Sequence, residues 1–232
     1  MMKIDVLSAG AAQGVVSGLA PVFERETGCA VAATFGAVGA MRQKLFDGAP
    51  CDVIILSATL VAGLFADGQV LPRSVVALGR VRTGVAVRAG ESLPDVSDSA
   101  ALKACLLQAS ALYAPDPEKA TAGVHFVRVL EALGIRAEVE SRLNFHPNGA
   151  AAMGAMAADG KAGAVGVTQV TEINNTPGVI LAGALQDEHE LSTVYSVAVT
   201  SSSGSPELAK RFATKLTDAT SMNLRRRAGF EF

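Results

Sequence analysis

The sequence predicts an α/β protein of two lobes, and three observations carry that prediction. Short β-branched runs alternate with helical patterns from the N-terminus onward. Two long apolar alternations, "VVALGRVRTGVAVRAG" and "ELSTVYSVAVTSSS", bracket a second set of the same kind. After the second alternation only helical patterns follow. A β-α-β-α order is the signature of a doubly wound parallel sheet. A chain that leaves one such set, builds another and returns has a discontinuous first lobe. The expected division is 1–80 plus 193–232 for lobe 1 and 81–192 for lobe 2, with the ligand cleft between them.

Each element has a local reason. "KIDVLSA" reads as a strand. "AQGVVSGLAPVFERETG" sets Val15, Val16, Leu19, Val22 and Phe23 at helical spacing, and Gly28 stops it. Pro21 lies inside this pattern, so a kink or a helix restart is expected there. "CAVAATFG" is the second strand, and "GAMRQKLFDG" a short helix closed by Gly48. "CDVIILS" is nearly all apolar, as a buried parallel strand should be, and "ATLVAGLFADG" is the next helix. In the second set "SAALKACLL" is a helix and "SALYAPDP" a strand with a turn. "TAGVHFVRVLEALGI" is a helix with Phe126, Val129, Leu130 and Leu133 in one stripe. "GAAAMGAMAADG" is an alanine-rich helix, "AGAVGVTQV" a buried strand running into a turn, and "PGVILAG" a further strand. "SPELAKRFATKLT" and "SMNLRRRAGF" end the chain as helices.

Composition narrows the function. The 232 residues are 50% hydrophobic and 18% charged, enough for a sizeable core. A net charge of −2 builds no phosphate-tracking surface, so nucleic acid is not an expected partner. The run Arg225, Arg226, Arg227 reads as a solvated helix face. Cys29, Cys51 and Cys105 have no CxxC spacing, which argues for buried, inert thiols in a reducing compartment. No run of ~18 apolar residues predicts membrane insertion. No secretory pattern opens the sequence, so it reads as cytoplasmic as written, and as periplasmic if a signal peptide has been removed. No Cys/His/Asp grouping has metal-ligand spacing and no nucleotide fingerprint occurs, so neither metal nor cofactor is expected.

Ligands of open α/β sheets sit beyond the carboxyl ends of the strands. Five segments fall at such places: "SAGAAQ", "FGAVGA", "DPEKATAGVHF", "GVTQ" and "HPNGA". All but "GVTQ" set small residues beside a helix start. A helix N-terminus offers unpaired N–H groups and about half a positive charge. Small residues let an anion approach that backbone. The candidate ligand residues are therefore Ser8, Ala9, Gly10 and Ala11, then Gly36, Ala37, Val38 and Gly39, then Thr121, Ala122 and Gly123, with Asn148 and Gly149. Ser57, Thr168, Gln169 and Tyr195 add neutral donors. Arg42 is either a bidentate carboxylate partner or a solvated side chain. His125, in the first turn of a helix, and His146, beside "HPNGA", are candidate proton shuttles, with capping or surface roles as the alternative. His189, in "DEHE", reads as solvated.

The order "FERETG…FGAVGAMRQKLFDGAPCDVIILSA" resembles the N-terminal lobe of the molybdate-binding proteins of bacterial ABC transporters. "DPEKATAGVHFVRVLEALGI" and "AGAVGVTQ" resemble segments of their second lobe. The resemblance implies a type II periplasmic-binding fold, a small anionic ligand and, if the chain is exported, an ABC permease as partner. In that family serines stand where this chain has Ala11 and Val38, and a tyrosine where it has Gly166; Asn148 matches a family asparagine. Loss of three hydroxyls points away from molybdate and toward an organic carboxylate. The chain also resembles the aconitate isomerase branch of the same fold. That resemblance implies the alternative: a cytoplasmic isomerase making a 1,3-proton shift on a di- or tricarboxylate, with a base near the carbon and donors for the developing charge.

Overall fold

The computed structural model describes residues 2–232. The chain divides into two compact units, one of residues up to Val81 with Thr193–Phe232, the other Arg82–Ser192. In chain order the first unit opens with β1 (Met2–Ala9), α1 (Gln13–Thr27), β2 (Cys29–Gly36), α2 (Val38–Phe46), β3 (Val53–Ser57) and α3 (Ala58–Ala66). β4 (Val76–Arg88) leads into α4 (Ser99–Gln108), β5 (Leu112–Pro115), α5 (Thr121–Ala132), α6 (Arg136–Val139), β6 (Leu143–His146), α7 (Gly149–Asp159), β7 (Val165–Gln169), α8 (Val170–Asn174) and β8 (Val179–Ala184). β9 (Ser192–Val199), α9 (Pro206–Thr217) and α10 (Met222–Ala228) complete the chain.

The first unit is built on strands in the order β2-β1-β3-β9, with β1 parallel to β2 and β3, and β9 antiparallel to β3. Val53, Ile54, Ile55 and Leu56 of β3 are all fully buried, which is why that strand is apolar at consecutive positions. α1 buries Val15, Val16 and Phe23, and the Phe23 ring meets Phe212 of α9 edge-on at 5.0 Å. Gly28 ends α1 in the left-handed conformation at φ 69°, its N–H bonded to the Glu24 carbonyl.

Two expectations are corrected in this unit. Of the kink or restart expected at Pro21, the restart does not occur: α1 is one helix from Gln13 to Thr27. Pro21 and Ser17, whose carbonyl loses its partner, are both exposed, so water can serve that carbonyl. Arg225 is not on a solvated face. It is buried, donates to the carbonyls of Leu78, Thr217 and Asp218, and lies under Phe232, while Arg226 and Arg227 stay exposed. Three carbonyl acceptors hold the guanidinium inside without a carboxylate.

The second unit has the strand order β6-β5-β7-β4-β8. β5 runs parallel to β6 and β7, and β4 antiparallel to β7 and β8. Period-two alternation splits its apolar residues between two faces. On one face Val85, Val87, Leu112, Val165 and Val167 pack with Phe126, Val129 and Leu130 of α5. On the other Ala86 and Tyr113 pack with Ala152, Met153 and Met156 of α7. Gly166 is bare because Met153 fills the space a Cβ would take. α6, β6 and α8, of 4, 4 and 5 residues, were not read from the sequence. Each is too short to show a period.

Candidate functional site

In the first unit β1 and β2 end in register, with Ser8 opposite Phe35 and Ala9 opposite Gly36; Ser8 also pairs with Ile55 of β3. Each of these strands runs directly into a helical segment. The residue before each helical start makes no side-chain cap: Ala9 before the 3₁₀ turn Gly10–Ala12, Ala12 before α1, Ala37 before α2, and Ser57 before α3. Three starts elsewhere are capped, those of α4, α7 and the 3₁₀ turn Ala219–Ser221, while α5, α8, α9 and α10 also start without a side-chain cap. Asp98 accepts the Ala101 N–H, Asn148 accepts the Ala151 N–H, and Asp218 accepts those of Thr220 and Ser221. The first unit therefore leaves several N–H groups without side-chain caps at neighbouring strand ends, flanked by the buried Ser8, Ala9, Gly10, Ala11, Ala37 and Val38.

The other candidates of this unit play varied parts. Ser8 donates its hydroxyl to the Ala9 carbonyl at 3.0 Å, which leaves the serine oxygen as an acceptor. Gly36 gives room to Met41, whose Cε lies 2.7 Å from where a Cβ would stand. Gly39 is half-buried in the first turn of α2. Arg42 is exposed and lies over the Phe46 ring at 5.0 Å. Ser57 pairs with Tyr195 across β3 and β9, and Tyr195 is buried edge-on to Phe230.

In the second unit α5 starts at Thr121 with Ala120 as an uncapped N-cap. Ala122 and Gly123 are buried, and a Cβ on Gly123 would strike the carbonyl oxygens of Pro115 and Asp116. That contact pins the start of α5 over the end of β5. One strand over, Thr83 of β4 faces Gln169 of β7 directly across the antiparallel pair. By strand alternation both point to the α5 face, in line with Val85 and Val167. Thr83 is fully buried and Gln169 is 3% exposed, yet the threonine Oγ1 and both amide atoms of Gln169 have no hydrogen-bond partner among the described residues. The backbone of Thr83 is held on both sides: its N–H donates to the Leu191 carbonyl and its carbonyl accepts from Leu185.

His125 is half-buried one turn into α5, with Nε2 2.7 Å from the His189 carbonyl oxygen. A carbonyl only accepts, so Nε2 carries a proton, and in the neutral ring Nδ1 holds the lone pair. His189 is not solvated, contrary to the expectation from its acidic neighbours. The 3₁₀ turn Asp187–His189 keeps Asp187 and Glu188 exposed and turns the histidine inward, to 4% exposure. His146 ends β6 stacked on Tyr113 at 5.9 Å between ring centres. Tyr113 belongs to the α7 face, so the two candidate histidines are not brought together.

The start of α7 has an occupant of its own. Glu172, 6% exposed, accepts the Thr168 hydroxyl at 2.6 Å and the backbone N–H groups of Gln169, Gly149 and Ala150. Burial pushes its carboxyl pKa up, while these four donors pull it back; the net direction is upward. Thr168, Gly149 and the N-cap Asn148 thus meet partners within the chain. Sequence reasoning missed Thr83, Glu172 and the role of His189. The signals were present: a polar residue inside the apolar run "VRTGVAV", and an acid directly after a buried strand in "VTQVTE".

Among the described residues no group of three or more His, Cys, Asp or Glu is placed to hold a metal, and no helix is long and apolar enough to cross a membrane. Cys29, Cys51 and Cys105 are free thiols, the first two buried.

The model of the bacterial extracellular solute-binding proteins matches residues 4–231. The chain is 31% identical to an aconitate isomerase from a Pseudomonas species over 213 residues, 89% of this chain and 79% of that one. It shares its fold with the periplasmic molybdate-binding protein of Azotobacter vinelandii at 20% identity and a TM-score of 0.82, covering 99% of both chains. The sulfate-binding protein SubI of Mycobacterium tuberculosis H37Rv is similar at 18% identity and a TM-score of 0.75, over 99% of this chain and 86% of that one.

Proposed function

The chain belongs to the bacterial extracellular solute-binding protein family, and we propose that its solute is a small organic polycarboxylate. The observation that carries this reading is the grouping of uncapped helix starts at the ends of neighbouring parallel strands, β1 with β2 and β3. The helical segments that follow β1, β2 and β3 all start without side-chain caps, the first two beside buried small residues. Backbone N–H groups with a helix dipole behind them suit a carboxylate oxygen. Ala11 and Val38, both buried, stand beside them, at positions where the resemblance to molybdate-binding proteins implies oxyanion-binding serines. Apolar lining of that kind fits the carbon skeleton of an organic acid. Delivery to an ABC permease follows only for an exported chain.

Titration calorimetry with tricarballylate, citrate and trans-aconitate, set against molybdate and sulfate, tests the proposal. Binding of an organic acid in preference to both inorganic anions supports it. Binding of molybdate or sulfate alone overturns it.

The geometry of His125 favours a second reading, an isomerase acting on aconitate. Its Nε2 is engaged by a carbonyl, so in the neutral ring Nδ1 is the nitrogen that would act as base. In a 1,3-shift that nitrogen takes a proton from the methylene carbon, the double bond moves by one position, and the same proton returns to the former vinylic carbon. Proton NMR of trans-aconitate with the protein in deuterated water reads this directly. Appearance of the cis isomer, lost in His125→Ala while ligand lines still broaden, establishes the enzyme. Conversion that survives His125→Ala removes this histidine as the base.

A further inference from the structure

We infer that Thr83 and Gln169 form a recognition pair for a ligand hydroxyl, so that the second unit selects a hydroxy acid over the same acid without its hydroxyl. The inference rests on the carboxylate reading above and adds to it a group that the ligand must carry.

The argument starts from chemistry that the fold leaves unfinished. A buried amide without partners is rare because it forfeits its hydrogen bonds to water. Gln169 presents two such atoms of opposite kind: Nε2 donates, and Oε1 accepts. Thr83, directly across the β4–β7 pair, adds a hydroxyl that can do either. A fully ionised oxyanion carries only acceptors. It can satisfy Nε2 and the threonine O–H, but it leaves Oε1 alone. An alcohol donates to Oε1 and, with two lone pairs, accepts from both Nε2 and the Thr83 hydroxyl, and so completes the set.

Placement supports the assignment. Both side chains lie on the α5 face, at the carboxyl end of β7, and the uncapped start of α5 stands over the end of the neighbouring strand β5. A carboxylate at the α5 N-terminus and a hydroxyl at Gln169 are the two halves of one hydroxy acid. The pair is also held in advance. The Thr83 backbone is tied to Leu185 and Leu191, and the Gln169 N–H is tied to the buried carboxylate of Glu172. Little ordering is left to be done on binding.

The test compares two acids that differ by one hydroxyl. Citrate is tricarballylate with a hydroxyl on its central carbon. Calorimetric titration of the intact protein is expected to show citrate bound about 10- to 100-fold more tightly, the value of a buried polar pair left unmatched by the deoxy acid. Gln169→Met and Thr83→Val, both close in shape to the native side chains, should each compress that ratio toward one. Thermal melts followed by circular dichroism check that both variants fold. Equal affinity of the wild type for the two acids overturns the inference and leaves the carboxylate reading standing. Failure of both acids to bind overturns the inference, and it brings down the carboxylate reading as well when trans-aconitate does not bind either. A wild-type preference that persists in both folded variants overturns the assignment to this pair.

Discussion

Glu172 offers the sharpest physical test of how the second unit is built. Its carboxylate accepts four donors: the Thr168 hydroxyl and the N–H groups of Gln169, Gly149 and Ala150. Glu172→Gln keeps the shape but turns one acceptor oxygen into an NH₂ group. Two donors are then left facing a donor. Each buried donor without an acceptor costs about 1–3 kcal/mol, so the loss spans about 2–6 kcal/mol. The variant no longer buries a charge, which offsets part of it, and a net loss of about 2–3 kcal/mol is expected. For a chain of this size that lowers the melting temperature by about 4–12 °C.

The pH dependence follows from the same group. Burial raises the carboxyl pKa in the folded state above its unfolded value. The native state therefore holds the proton more tightly. This contribution to stability is full below the unfolded pKa and is lost as pH rises through the folded pKa. The glutamine variant has no such titration. The gap in melting temperature between wild type and variant should widen as pH falls from neutral into the acid range. Circular dichroism melts of both proteins at several pH values measure it. A variant that melts within about 1 °C of wild type at neutral pH, or a gap that narrows on acidification, refutes the reasoning.

Three further expectations are simpler to check. Gly123→Ala drives a methyl group into the Pro115 and Asp116 carbonyl oxygens; a loss of about 1–3 kcal/mol should lower the melting point by about 2–12 °C, and an unshifted melt would show that α5 is not pinned there. Ala11→Ser with Val38→Ser returns two hydroxyls beside the uncapped helix starts; molybdate affinity measured by calorimetry should rise about 10-fold or more, and unchanged affinity would remove these positions from the site. Burial raises the pKa of all three thiols, that of Cys51 to about 12; a thiol reagent near pH 8 should react slowly with the native protein and count three thiols once it is unfolded, and rapid native labelling of Cys51 would contradict its burial.

Most of the fold was legible because its signals are local. The apolar run Val53–Ser57, the stripe Phe126, Val129 and Leu130, and the stop at Gly28 each follow from residues within a few positions of one another. The helix starts rich in small residues were legible for the same reason. Ala9, Ala37 and Ala120 carry no side chain able to cap, and that is a property of the sequence itself.

Which of those starts remains open is a different matter, because a cap can come from far along the chain. The α7 start looked like the others in "HPNGA", but Glu172 fills it from the turn after β7. His189 sits among acids in sequence, yet its turn directs it inward, where its carbonyl meets His125. Thr83 and Gln169 became a pair only through the antiparallel register of β4 and β7. The sequence by itself determined the alternation of elements, their apolar faces and the bare helix starts, since each depends on neighbours in the chain. Only the tertiary structure decided which polar groups satisfy one another and which are left for a ligand, because hydrogen bonding across strands and between loops is set by register and packing.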